Sequence, residues 1–460
     1  MAERRLLPKN CWSLNKVIHD TVAPTVTVHL VAGSAALAIP HHLLEDTTRR
    51  HVVTLTMDGD FTSTQERPLS LPPSLVRLSL RGFRGELGPV PSGLRELHIC
   101  AYRNAEGNPY PIYHPHPLLA DITNSDAVQR FLQEMSEITV AVLPTVRLLC
   151  LVGMNTEDFI LLRTCMQALC KVPHPKLKDL RLYAWTLHWE DLLQLLSPPA
   201  AVQKVTIENC HFTSDSESAE GRFTIPSLPE GLVSLEVARC HCGSEVMVIS
   251  RLPESLRHVN VAVIRTDVEF AQPLPPLLES FSLKLVDVHA NISAGMLPAS
   301  LRVLELVGRH LQLEEVPPSL RVLKLRAYKH PLPQLPDTLE TLVLDECKHH
   351  VAEVPDSVRS LSLCWCHPHP APPLPARWPT HLERLIYWGE SDEFFGTPHD
   401  MPHIDSLPPT LRRLELNGCA VMAELPQALQ ELRLGCEFRD TVNLKDFTGS
   451  VTVSRRRVRF

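Results

Sequence analysis

Three apolar positions spaced one, four and six recur down this chain, each set preceded by Leu-Pro or Val-Pro and two or three further residues. The segment LPPSLVRLSL from Leu71 to Leu80 shows the unit, and LPASLRVLEL from Leu297, VPPSLRVLKL from Val316, LPDTLETLVL from Leu335 and VPDSVRSLSL from Val354 repeat it. Further copies start at Val90, Leu228, Leu252, Leu274, Trp378, Leu407 and Leu425, and a shortened one at Leu143. The anchors Leu301, Leu320, Leu339 and Val358 follow one another at steps of 19 residues, while the step from Leu382 to Leu411 is 29. A constant core with a variable remainder predicts a solenoid, in which insertions enter the loops and the stacked strand is preserved.

Within LxxLxL, positions 4 and 6 keep the strand period of two, so their side chains share one face and each copy supplies a short strand. The proline has no amide hydrogen and disfavours helix in the residue before it, which punctuates the return path. A 19-residue repeat leaves too little chain for a full helix there, and extended or 3₁₀ structure is expected. From about 120 to 210 the pattern changes. Val128, Phe131, Leu132 and Met135, then Phe159, Leu162, Met166 and Leu169, follow helical spacing, and DLLQLLS near Leu192 predicts a further short helix.

Several copies continue to LxxLxLxxC: Cys210, Cys240, Cys347, Cys366 and Cys419 all occupy position 9. With that continuation the unit resembles the leucine-rich repeat, and its Leu-Pro opening is similar to proline-containing repeats of bacterial effectors and of amoebal and viral proteins. The resemblance implies an α/β solenoid of horseshoe form, with a parallel sheet on the concave face, helices on the convex side in the central repeats, and mostly extended or 3₁₀ segments elsewhere. It also implies that the position-9 side chain turns inward onto the backbone of the bend. The division expected is an N-terminal cap over 1–45, the solenoid over 46–436, and a C-terminal cap with basic tail over 437–460.

Composition narrows the function. Hydrophobic residues make up 44% and aromatic ones 5%, so Leu and Val must carry the core. A formal charge of -7 argues against binding nucleic acid through bulk phosphate contacts, apart from a role of the tail Arg455, Arg456, Arg457 and Arg459. The start MAERRLLPKNCWSLNK lacks the apolar region of a secretory signal, and no stretch of about 18 apolar residues occurs. The 13 cysteines, an odd number, do not suggest a disulfide framework. An intracellular protein with no membrane association is expected, in the cytoplasm.

None of the motifs GxSxG, HExxH, GxxxxGK[ST] or GxGxxG is present, and neither enzymatic activity nor a cofactor is expected. Cys364, Cys366, His367 and His369, with His349 and His350 one repeat earlier, have the side chains of a zinc site. Their C-x-C-H-x-H spacing is not that of a zinc finger, and Cys366 already has a place in the bend. Position 2 is arginine in many copies: Arg95, Arg147, Arg257, Arg302, Arg321, Arg359 and Arg412, interrupted by Glu279, Glu340 and Glu383. This ladder either pairs within itself or grips an acidic segment of a partner. Strand alternation places His258, Glu305, Lys324, Arg413, Glu415 and Arg433 on the same face as candidates for contact. The expected role is a non-enzymatic scaffold binding a protein partner. The alternative is the substrate-recognition subunit of a ubiquitin ligase, for which LLPKNCWSLNKVI offers a loosely F-box-like start.

Overall fold

The computed structural model describes residues 3–5, 26–31, 37–38, 52–58, 61–62, 68–81, 87–100, 139, 143–152, 167, 169–172, 174–196, 201–213, 222–225, 228–240, 246–264, 266–286, 289–293, 295–347, 353–365, 375, 377–389, 403–404, 406–417, 420–421, 424–435 and 447–453. Two compact units divide the chain, Met1–Ala219 with Leu228–Gly243 and Glu220–Ser227 with Ser244–Phe460. Each is a parallel β-solenoid.

In the first unit the strands Val26–Val31, Val52–Asp58, Arg77–Arg81, Glu96–Cys100, Leu148–Val152, Asp179–Tyr183, Lys204–Glu208 and Ser234–Cys240 pair in chain order, all parallel. The second unit repeats this with His258–Ile264, Ser280–Val286, Val303–Val307, Val322–Arg326, Thr341–Asp345, Ser360–Trp365, Arg384–Gly389, Arg413–Asn417, Glu431–Leu434 and Ser450–Val453. Registers join equivalent positions, as Leu304 to Leu323, Leu323 to Leu342 and Leu342 to Leu361 show. Positions 1, 4 and 6 are therefore stacked leucines: Leu301, Leu304, Leu306, Leu320, Leu323 and Leu325 are all at most 1% exposed.

Three local devices close each turn. The Pro-x-x-Leu stretch is a β-turn, in which the anchor amide donates to the proline carbonyl at 3.1 Å in Leu301, Leu320 and Leu339 alike. The Ser or Thr just before the anchor then donates to the previous anchor's carbonyl: Ser300 to Leu278 at 2.7 Å, Ser319 to Leu301 at 2.9 Å, Thr338 to Leu320 at 2.9 Å, Ser357 to Leu339 at 2.7 Å. Beyond the strand, position 8 enters the left-handed region, with φ of 55° at Asn209 and Arg239, 57° at Ala327 and 53° at Glu346. Its amide donates to the position-7 carbonyl of the following repeat, as Ala327 does to Asp345 at 2.7 Å, which offsets the steric cost of that conformation.

Position 9 turns inward as expected at the three described cysteines. Cys210 donates to Leu182 O, Cys240 to Ile207 O and Cys347 to Leu325 O, each the position-6 carbonyl of the preceding repeat. Trp185 occupies the same phase and reaches Leu151 O through its indole nitrogen at 3.1 Å. Cys366 and Cys419 lie outside the described residues.

Helix is scarce among the described residues. Among the described residues only Trp189–Leu196 forms a continuous helix, at the expected DLLQLLS. The helices expected over 128–135 and 159–169 fall outside them, except for Gln167 and Leu169, which are helical. Elsewhere the return path is largely extended and pairs with itself in parallel, as in Arg222–Ile225, Val246–Ile249 and Phe-ended Asp267–Phe270, or in His289–Ile292 with His310–Leu313. The short repeat explains this: extended chain crosses more than twice the distance per residue that helix does. At the ends, Val26–Val31 lies in the segment expected as a cap yet continues the main sheet, and Ser450–Val453 adds a last strand to it. The described parts of the first fifty residues, Glu3–Arg5, Val26–Val31 and Leu37–Ala38, are strands, and LLPKNCWSLNKVI lies outside the described residues.

Candidate functional site

With positions 1, 4 and 6 committed to the core, positions 3, 5 and 7 project from the other face of the sheet, and position 2 flanks them. In the second unit this face carries His258, Lys324, Arg413 and Arg433 exposed, with Glu305 and Glu415 half-buried, and Arg302 and Arg412 are exposed at its flank. Arg321 is exposed as well. All the contact candidates read from alternation therefore lie on one face, spread over the strands from His258–Ile264 to Glu431–Leu434.

The arginine ladder pairs in part within itself. Each interrupting glutamate takes the arginine one repeat before it: Arg257 and Glu279 at 2.7 Å, Arg321 and Glu340 at 3.0 Å, Arg359 and Glu383 at 3.2 Å. Position 7 adds Arg326 with Asp345, and positions 5 and 7 bring Lys284 to Glu305 at 3.0 Å. Glu431 accepts from both Arg413 and Arg433, and Glu415 from the Trp388 indole at 3.0 Å. The acids of these strands are thus engaged. Among the described residues Arg302, Lys324, Arg384 and Arg412 have no acidic partner. Arg384 and Trp388 are not among the candidates read from the sequence, although Arg384 shares position 3 with His258 and Arg413.

In the first unit the same face is also paired in part, and among the described residues Arg95, Arg147 and Lys178 at position 2 have no acidic partner. Arg77 binds Glu96, holding that carboxyl below its usual range, and Arg181 folds back onto Asp179 of its own strand at 2.8 Å. Burial pushes the His98 imidazole down and the Cys150 thiol, facing it on the next strand, up to about 12.

Of the metal candidates only Cys364 is described: it is half-buried at position 7, and burial raises its thiol to about 11. Cys366, His367, His369, His349 and His350 lie outside the described residues, as do the tail arginines. Among the described residues no three His, Cys, Asp or Glu side chains converge on a point where a metal could sit.

By class the molecule is a parallel β-solenoid built from a leucine-rich unit. No known family model matches the chain. No curated protein matches it either. Among solved structures it is similar to CroV588, described as a novel circular LRR protein structure, with a TM-score of 0.33 and 14% identity over 88% of this chain and 76% of that one.

Among the described residues no helix is long and apolar enough to cross a membrane.

Proposed function

We propose that the protein is a non-enzymatic recognition scaffold, intracellular, that binds a protein partner on the exposed face of its main sheet, the concave face of a leucine-rich-repeat solenoid of horseshoe type. The observation that carries this reading is the row of cations without an acidic partner, Arg302, Lys324, Arg384 and Arg412, displayed on the sheet of the second unit. A side chain on a stacked strand is held at fixed spacing from its neighbours, so the face presents a preorganised set of contacts and little ordering entropy is lost on binding. Arginine suits the role because its planar fork meets carboxylates bidentately.

A photo-crosslinker placed at Val343, half-buried at the centre of that face, tests it against one at Gln312, exposed on the return path. A protein crosslinked reproducibly through position 343 and not through 312 is the expected result. Equal capture at both positions, or at neither, overturns the reading.

A further inference from the structure

Arg384 stands in an unusual place. It is exposed at position 3, in register with Ser360 on one neighbouring strand and Arg413 on the other. Neighbouring strands lie about 4.8 Å apart, so two guanidinium groups start side by side, and like charges directly opposite on a sheet are destabilising. Arg413 is paired with Glu431, but among the described residues no acid nearby is left for Arg384: Glu383 holds Arg359, Glu431 holds Arg413 and Arg433, and Glu415 holds the Trp388 indole. Arg412, next in the chain, is also exposed without an acidic partner.

Two residues further along the strand, on the same face, come Ile386 and then Trp388, both half-buried. The Trp388 ring is fixed by its bond to Glu415. A cationic corner thus adjoins a small apolar strip on one rigid surface.

We propose that this corner receives an extended, acidic segment of a protein partner, with one carboxylate bridging Arg384 and Arg413 and an apolar side chain laid on Ile386 and Trp388. The proposal rests on the scaffold reading above and names its partner's chemistry. A carboxylate placed there supplies the compensation the fold lacks, as a bidentate acceptor for charged donors. A nucleic acid fits less well, because Glu415, Glu431 and Asp345 interrupt the cations and would face its continuous row of phosphates. An acidic peptide can place its charges between those acids.

The test uses the full chain and a fluorescein-labelled peptide of alternating Glu and Leu, followed by anisotropy. Binding to the wild type is expected, with about tenfold weaker binding by Arg384→Gln and none detectable by Arg384→Glu, in line with the loss of a charge-assisted contact. A second readout separates this from a structural role: Arg384→Gln relieves Arg413, so its melting temperature should equal or exceed that of the wild type. Unchanged affinity in Arg384→Glu, equal affinity for a Lys-Leu peptide, stronger binding of single-stranded RNA than of the acidic peptide, or a lower melting temperature of Arg384→Gln each overturns the proposal. The crosslinker at Val343 keeps the two readings apart. If Arg384→Glu still crosslinks the same protein through that position, the scaffold stands and the acidic site falls.

Discussion

The repeats around Val205 and those around Leu323 build the same strand but close the turn behind it by different means. In the first, anchors lie 31 and 25 residues apart, from Val146 to Leu177 and from Leu177 to Val202. That return path carries its own core: Trp189, Leu192, Leu195 and Leu196 of the helix are buried, and Trp189 meets Phe212 edge to face at 5.2 Å. His174 bridges Val172 O and Leu195 O, each at 2.7 Å, tying the entering segment to the helix end. In the 19-residue repeats the return path is extended, and it buries Leu311, Leu313 and Tyr328, the Tyr328 hydroxyl accepting from Leu313 N at 3.1 Å. There a proline turn and a hydroxyl bridge also hold the backbone. The difference teaches that repeat length decides what buries the core behind the sheet, a helix in the long repeat and extended chain in the short ones.

The largest way to break that contrast is Trp189→Ala. It removes a fully buried indole from the satellite core and should cost about 3–5 kcal/mol, the range for a large aromatic lost from a packed interior. Chemical denaturation followed by far-UV circular dichroism measures it. On the short return path the corresponding residue is Leu311, fully buried, and Leu311→Ala should cost about 2–5 kcal/mol, as should Leu323→Ala in the main core.

The buried thiols sharpen the comparison through pH. Burial raises Cys150 in a long repeat and Cys347 in a short one to about 12, against an ordinary value of 9.0. A group that releases its proton less readily when folded stabilises the fold fully below the unfolded value, and the contribution falls as pH rises from about 9 towards 12. Stability should therefore decline above pH 9, and Cys347→Ser should shrink the decline. Denaturation midpoints between pH 8 and 10.5 would show it; a flat profile is the contrary outcome.

The strand, the stacking and the position-9 cysteines were legible in the sequence because each is a column that can be read within one repeat. The hydroxyl bridge was not. Ser300, Ser319, Thr338 and Ser357 recur as plainly as the leucines, but their acceptor is a carbonyl about one repeat away, so the column has no meaning until the repeats are stacked. Trp185 hid for a related reason: an indole and a thiol share no family likeness, yet each donates to the position-6 carbonyl of the preceding repeat, Leu151 O and Leu182 O. For the site, alternation placed His258, Glu305, Lys324 and Arg413 on one face. Which arginines are neutralised depends on whether the neighbouring repeat offers a glutamate in register, and only the pairing shows that Arg321 is matched and Arg384 is not.

The hydroxyl column gives a smaller, repeated effect. Ser319→Ala removes donors to the Leu301 and Ala299 carbonyls and should cost about 1 kcal/mol, the net worth of a typical hydrogen bond, as should Thr338→Val one repeat on. The two positions belong to adjacent repeats and bond different carbonyls. The double variant should lose close to the sum, because solenoid stability adds over neighbouring repeats. A loss well below the sum would mean that one missing bridge already loosens the next turn.

The smallest effect belongs to the salt bridges of the ladder. Arg321 and Glu340 are 3.0 Å apart, but their side chains remain 58% and 48% exposed. Solvent screens such a pair, and ordering two long side chains costs entropy, so Arg321→Gln should change stability by at most about 0.5 kcal/mol, and less in high salt. Binding is where it should register. Glu340, released from its partner, adds an uncompensated acid to the face on which the unmatched arginines stand. An acidic peptide should then bind more weakly to Arg321→Gln at low salt, with the difference fading as salt is raised, while the protein itself melts as the wild type does. A long-range loss of affinity without a loss of stability would show that the ladder sets the charge of the surface, and that the hydroxyls and leucines beneath it hold the fold.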